Sequence, residues 1–223
     1  MLTNKGLVEY AKEALAEKWG YVWGTFGQLL TEALFRQKLA QYPVGVGKYK
    51  DFIKKNWLGR KTTDCVGLIK SYCWTIDGEI RYESKIDVSA NGMFNAAKEK
   101  GTISTLPEIP GICVWKKGHI GVYIGNSQVI EARGTKVGVI QAPLKGRGAV
   151  GWTHWLKCPY ITYEATKKGI VIASVLNVRD EPSLAGTVVG KLYKGESVEI
   201  LEKNVDWYRI DTNKWVSSKY VKI

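Results

Sequence analysis

Histidine and cysteine are scarce in this chain of 223 residues: it has two histidines and four cysteines. His119 and His154 are too few for the usual histidine-rich catalytic zinc centres. Neither lies in an H-E-x-x-H helix, so no metal and no cofactor is expected. The cysteines, at 65, 73, 113 and 158, include no C-x-x-C pair and lack the even framework of small secreted domains. No apolar run approaches the roughly 18 residues of a membrane span, so membrane insertion is not expected. The N-terminal stretch from Met1 to Lys18 carries Glu9, Glu13 and Glu17 and no signal-like apolar run, which predicts synthesis in a cytoplasm without an export address.

What remains is an ordinary globular composition, 45% hydrophobic and 24% charged, long enough for one medium domain and one small one. The net charge of +12 is uneven: residues 164–223 carry 10 basic and 8 acidic side chains, and the rest of the chain holds a net +10. A basic body suits a polyanionic partner, either nucleic acid or an anionic wall polymer. Dispersed lysines without a recognisable motif argue against nucleic acid, and most are read as a solvated face.

Hydrophobic period predicts helices over 3–19 (capped by Thr3 or Asn4), 27–41 and 48–58, with the short aromatic stretch Tyr21-Val22-Trp23-Gly24 extended between the first two. Pro43 and the Gly45/Gly47 turn close the second helix. A further helix begins at Cys65, with Thr63 or Asp64 as its N-cap, and a short one lies around 91–100. From Gly111 the period becomes that of strands, over 112–115, 119–125, 128–133 and 137–140, with turns at Lys117-Gly118 and Asn126-Ser127. Helices followed by an antiparallel meander define an α+β layout. Composition shifts near 159–169, giving domains at 1–160 and 169–223 joined by a linker at 161–168. The final segment, short β-rich runs between turns, suits a small barrel in which most of Tyr193, Trp207, Tyr208, Trp215 and Tyr220 form the core.

Cys65 is the candidate nucleophile. In a first helical turn the dipole favours a thiolate by at most about 2 kcal/mol, so a histidine partner is needed. Alone, such a cysteine is more often a packing residue than a catalytic one. His119 opens a strand after a tight turn and is the candidate base; otherwise it is a surface histidine. Glu131, twelve residues on across a hairpin, can sit beside His119 and fix its tautomer, or pair instead with Arg133 or a lysine. His154, among Trp152 and Trp155, is the rival base.

Together, Tyr21-Val22-Trp23-Gly24, Asp64-Cys65-Val66-Gly67-Leu68, His119-Ile120-Gly121-Val122-Tyr123 and Val129-Ile130-Glu131-Ala132 resemble the NlpC family of cell-wall cysteine peptidases. That resemblance covers roughly residues 5–160. It implies a circularly permuted papain-like fold, Cys65 as nucleophile, His119 as base and Glu131 as orienting residue. Tyr21 and Trp23 would line the substrate site and Asp64 would help bind the stem peptide. The implied reaction is hydrolysis of the D-glutamyl–diamino acid bond of peptidoglycan. Alternatives are an N-acetylmuramoyl-L-alanine amidase of the same thiol chemistry and a non-catalytic wall-binding protein. Val66 stands where the family usually has serine, and Glu131 where histidine is commoner. The tail, with Leu176-Asn177-Val178-Arg179 and Trp207-Tyr208-Arg209, resembles a bacterial SH3 domain, which implies a grip on peptidoglycan. A hydrolase joined to a wall binder, without an export address, is expected to be of the endolysin type, released through a holin pore.

Overall fold

The computed structural model describes residues 2–163, 167–211 and 213–223. The chain divides into two compact units between Tyr163 and Glu164. Part of the linker expected over 161–168, residues 164–166, lies outside the described residues.

The larger unit opens with α1 (Asn4–Ala16), whose Thr3 cap accepts the Gly6 N–H at 3.1 Å. Two short strands follow, β1 (Gly20–Tyr21) and β2 (Phe26–Leu29), then helices α2 (Glu32–Gln41), α3 (Pro43–Gly47) and α4 (Lys50–Asn56). The helix expected from residue 27 thus begins later. Gly27 has φ +91, outside the helical range, and a bulge there lets β2 pair with β3 (Lys61–Thr63). The helix starts only where Thr31 can cap it, accepting the Leu34 N–H at 3.1 Å. Pro43 serves as the first residue of α3 and does not merely close α2. β3 also pairs in parallel with β1, a non-local contact that brings the Tyr21 stretch beside the segment leading to Cys65.

Next come α5 (Gly67–Trp74), the β4 (Thr75–Ile76) and β5 (Glu79–Ile80) hairpin, and α6 (Ala90–Ala96). The remaining strands are β6 (Lys100–Thr102), β7 (Cys113–Lys116), β8 (His119–Gly125), β9 (Gln128–Gly134), β10 (Gly138–Pro143) and β11 (His154–Leu156). They form one six-stranded sheet in the order β10-β9-β8-β7-β11-β6. Asn126 and Ser127 both take positive φ, the left-handed pair that joins β8 to β9 with the twist a hairpin needs.

Alternation along β8 and β9 gives the sheet two different faces. Ile120, Val122, Ile130 and Ala132 join Leu7, Ala11, Leu68 and Ile69 of α1 and α5 in the main core. Tyr123 and Val129 face the other way, under Leu144 and Trp152. Helices α2 to α4 close over a third cluster of their own, built on Val22, Leu30, Phe35, Val46 and Ile53.

The smaller unit has eight strands among the described residues: β12 (Lys167–Val171), β13 (Val175–Arg179), β14 (Val188–Tyr193), β15 (Ser197–Ile200), β16 (Glu202–Asn204), β17 (Trp207–Asp211), β18 (Lys214–Ser217) and β19 (Val221–Lys222). They form a three-stranded sheet, β15-β12-β19, and a five-stranded one, β14-β13-β18-β17-β16. Its core is aliphatic, with Val171, Leu176, Val178, Val198, Ile200, Val216 and Val221 around Tyr208. The expectation of a mostly aromatic core is corrected: Tyr193 and Tyr220 are exposed, and Trp207 and Trp215 are half-buried. Valine and isoleucine fill a thin two-sheet interior that larger rings would pry apart.

Candidate active site

Cys65 lies in the turn just before α5, not in the first helical turn that its sequence suggested. The turn is held by Asp64. One carboxylate oxygen accepts the Gly67 N–H at 2.7 Å, the other accepts the Gly24 N–H at 2.8 Å, and the Asp64 carbonyl accepts the Leu68 N–H at 3.2 Å. Asp64 therefore fastens the Cys65 turn to the Tyr21–Gly24 stretch. Burial raises the Asp64 pKa, and the Gly67 and Gly24 N–H groups and the Lys70 charge offset that only in part.

The Cys65 side chain is buried within the main core. Its thiol is pushed up to about 12, first by burial and then by the Asp64 charge, while the backbone N–H groups of Ile120, Val66 and Cys65 itself act the other way. At rest it is a neutral thiol. The Ile120 N–H places the sulfur at the start of β8, one residue from His119. Among the described residues no hydrogen bond joins the Cys65 sulfur to the His119 ring.

His119 and Glu131 do meet. Nε2 of the half-buried imidazole lies 2.5 Å from Oε2 of Glu131, a side chain with no solvent exposure. Oε1 of the same carboxylate accepts from Arg133, whose Nε is 3.1 Å away. The histidine and arginine readings of Glu131 thus hold together. Burial works against its charge, but the hydrogen bonds and charges of His119 and Arg133 outweigh that and hold the carboxyl below its usual range. The ring of Trp152 stacks on the imidazole, centroids 5.2 Å apart and planes 9° from parallel. With Nε2 taken by Glu131, Nδ1 is the nitrogen left for proton transfer.

Tyr21 is buried beside this turn. Burial raises its phenol pKa, the Cys65 and Asp64 charges add to the rise, and the Cys65 N–H opposes it. The hydroxyl stays protonated and can donate. Trp23 is 53% exposed, with its ring 6.5 Å from that of Tyr42. It offers an open aromatic surface two residues from Tyr21. His154 lies elsewhere: its position on β11 is two strands from β8, with Trp115 in the same cross-strand row between it and Ile120. Its Nδ1 is 3.0 Å from Thr153 Oγ1, and its ring meets Phe94 and Trp115 edge-on. Sequence pattern missed Trp152 and the Gly24 contact, since both depend on tertiary packing.

Cys73 and Cys158 lie with their sulfurs 4.0 Å apart and Cys113 is fully buried, all as free thiols. Among the described residues no group of three or more His, Cys, Asp or Glu side chains is placed to hold a metal. Among them, too, no helix is long and apolar enough to cross a membrane.

The fold is mixed α+β, and residues 174–222 match the family model of the bacterial SH3 domain. The smaller unit is a bacterial SH3 domain. Over 136 residues the chain is 32% identical to bacteriocin BCN5 of Clostridium perfringens, a match covering 59% of this chain and 14% of that protein's length. Similar solved structures include the peptidoglycan hydrolase RipB of Mycobacterium tuberculosis, at 17% identity over 72% of this chain and 67% of that one, TM-score 0.38. The P60 domain of an antigen of M. avium subspecies paratuberculosis is another, at 16% identity over 70% and 96%, TM-score 0.36. Scores this low add no weight to the fold or the site.

Proposed function

We propose that the chain is a peptidoglycan hydrolase of the endolysin type, a cysteine peptidase that cuts stem peptides after D-glutamate while its bacterial SH3 domain holds the wall. The observation that supports this is the chain Arg133–Glu131–His119, with the Cys65 thiol held by the backbone N–H of Ile120, the residue after His119. A buried carboxylate fixing one imidazole nitrogen leaves the other to act as base.

In this mechanism Nδ1 of His119 takes the Cys65 proton, and the thiolate attacks the scissile carbonyl. The tetrahedral oxyanion accepts hydrogen bonds from the Cys65 N–H and the Tyr21 hydroxyl. The intermediate collapses to a thioester as the leaving amine takes the proton from His119. Water, deprotonated by the same imidazole, then releases the acyl group and restores the thiol. Asp64 and Trp23 face the stem peptide, Asp64 toward its free amine and Trp23 along its backbone.

The test is mass spectrometry of digested peptidoglycan with wild type and Cys65→Ala. Expected are peptides ending at D-glutamate with wild type and none with the variant. Free muramyl ends would make the enzyme an amidase. An absence of products, or wall clearance retained by Cys65→Ala, would refute thiol catalysis.

A further inference from the structure

The expectation of dispersed lysines overlooked one segment. From Arg36 to Lys61 stand eight basic residues and a single acid, Asp51, so this short stretch carries a net +7. Arg36, Lys48, Lys50, Lys54, Lys55 and Arg60 are exposed. Most of the segment is the layer formed by α2, α3 and α4 over their own apolar cluster.

The charges are organised. Lys54 of α4 reaches across to α2, with Nζ 3.3 Å from Glu32 and 5.4 Å from the centre of the Phe35 ring. Arg36 stands one helical turn beyond Glu32 on α2, and Lys50 one turn before Lys54 on α4, so each helix carries an exposed cation beside the Lys54–Glu32 pair. Glu32 is the acid engaged there, set against the three cations Arg36, Lys50 and Lys54.

The face also has a fixed position. Tyr42, which ends α2, packs so closely on Gly24 that a Cβ there would lie 2.3 Å from its ring. The Gly24 N–H is bound by Asp64, the neighbour of Cys65. A polymer lying on α2 and α4 is therefore held by the same layer that braces the thiol's turn.

We propose that the α2–α4 face grips a linear phosphodiester polymer of the cell wall, of the teichoic-acid kind, and keeps it beside the Cys65 turn. The choice of a wall polymer rests on the function proposed above. Regularly spaced single negative charges on a flexible chain match a cluster of exposed cations, and a polyanion held by such contacts is released by salt. Short helices with no groove-reading motif do not favour nucleic acid.

The experiment compares wild type, Arg36→Gln/Lys50→Gln/Lys54→Gln, and Lys98→Gln/Lys136→Gln/Lys145→Gln, the last removing equal charge from elsewhere on the same unit. Binding is measured by sedimentation with purified walls, either intact or stripped of phosphodiester polymer by hydrofluoric acid. Wild type and the second variant should bind intact walls about tenfold more tightly than stripped ones at low salt, and the first variant should lose that difference. Cleavage of stripped walls should be the same for all three. A difference kept by the first variant, an equal loss in the second, or binding of duplex DNA as tight as of intact walls would overturn the proposal. If the triple variant does not fold, Arg36→Gln and Lys50→Gln singly should each give part of the loss. Absence of cleavage by every protein would count against the proposed function and leave the binding comparison standing.

Discussion

Asp64 and Glu131 are both carboxylates with hydrogen-bonded oxygens around one site, the first half-buried and the second fully buried, yet they respond in opposite directions. Asp64 is held by two backbone N–H groups, from Gly24 and Gly67, and its pKa is raised. Glu131 is held by an imidazole and a guanidinium, and its pKa is lowered. Neutral dipoles satisfy the oxygens without offsetting the loss of hydration, whereas charged donors also supply Coulomb energy. Division of labour follows: Asp64 is a clasp between two segments, and Glu131 is a standing charge that holds the His119 imidazole.

The largest expected effect lies on the Glu131 side. Glu131→Ala should slow wall hydrolysis by about 10²- to 10⁴-fold and destabilise the larger unit by about 3 kcal/mol, the low end for a broken buried pair because Arg133 can turn to water. Urea unfolding and muropeptide release measure the two. If Glu131→Gln kept the full rate, the charge would be irrelevant and the contrast with Asp64 would lose its meaning.

On the other side, Asp64→Asn can accept at one oxygen only and so loses one of its two N–H bonds. A stability loss of about 1 kcal/mol is expected. The Asp64 charge is one of the two causes raising the Cys65 thiol, so alkylation of Cys65 by iodoacetamide near pH 8 should become faster in this variant. A slower reaction would mean that the carboxylate positions the sulfur more than it repels the thiolate.

Titration sharpens the same contrast through its sign. A lowered folded pKa gives Glu131 a contribution that is present above its ordinary value of 4.5 and lost as pH falls through the folded value. A raised folded pKa gives Asp64 the reverse: a contribution present below its ordinary value of 3.8 and lost as pH rises through the folded value. Thermal unfolding from about pH 3 to 7 should therefore show the gap between wild type and Glu131→Gln closing toward acid. The gap between wild type and Asp64→Asn should shrink in the opposite direction. Parallel curves would show that the two environments are alike.

The smallest effect belongs to His154. Replacing it with alanine removes two edge-on aromatic contacts, worth about 1 kcal/mol together, and should leave the hydrolysis rate unchanged. A drop matching that of His119→Ala would move the base to β11 and detach Glu131 from catalysis.

Strands β7 to β10 were legible in the sequence because period-two patterns and left-handed turn residues act locally. The same holds for the short β runs of the SH3 domain. Residues 26–29 were misread because Leu29 and Leu30 fit a helical period, while pairing with β3, far along the chain, decides their conformation. Cys65, His119 and Glu131 stood out by residue type and spacing. The distance of the thiol from the imidazole, the stacking of Trp152 and the reach of Asp64 to Gly24 depend on packing between remote segments, which no local pattern encodes. The cluster of cations between Arg36 and Lys61 was hidden for a related reason: charge summed over the whole larger unit blurs a concentration in one short stretch of it.

Trp152 also gives the site a built-in optical reporter. Its indole lies flat against the imidazole, so any movement of that ring changes what the indole face touches. Emission from this one side chain, isolated by subtracting a Trp152→Phe variant, would report displacement of the His119 ring without a label.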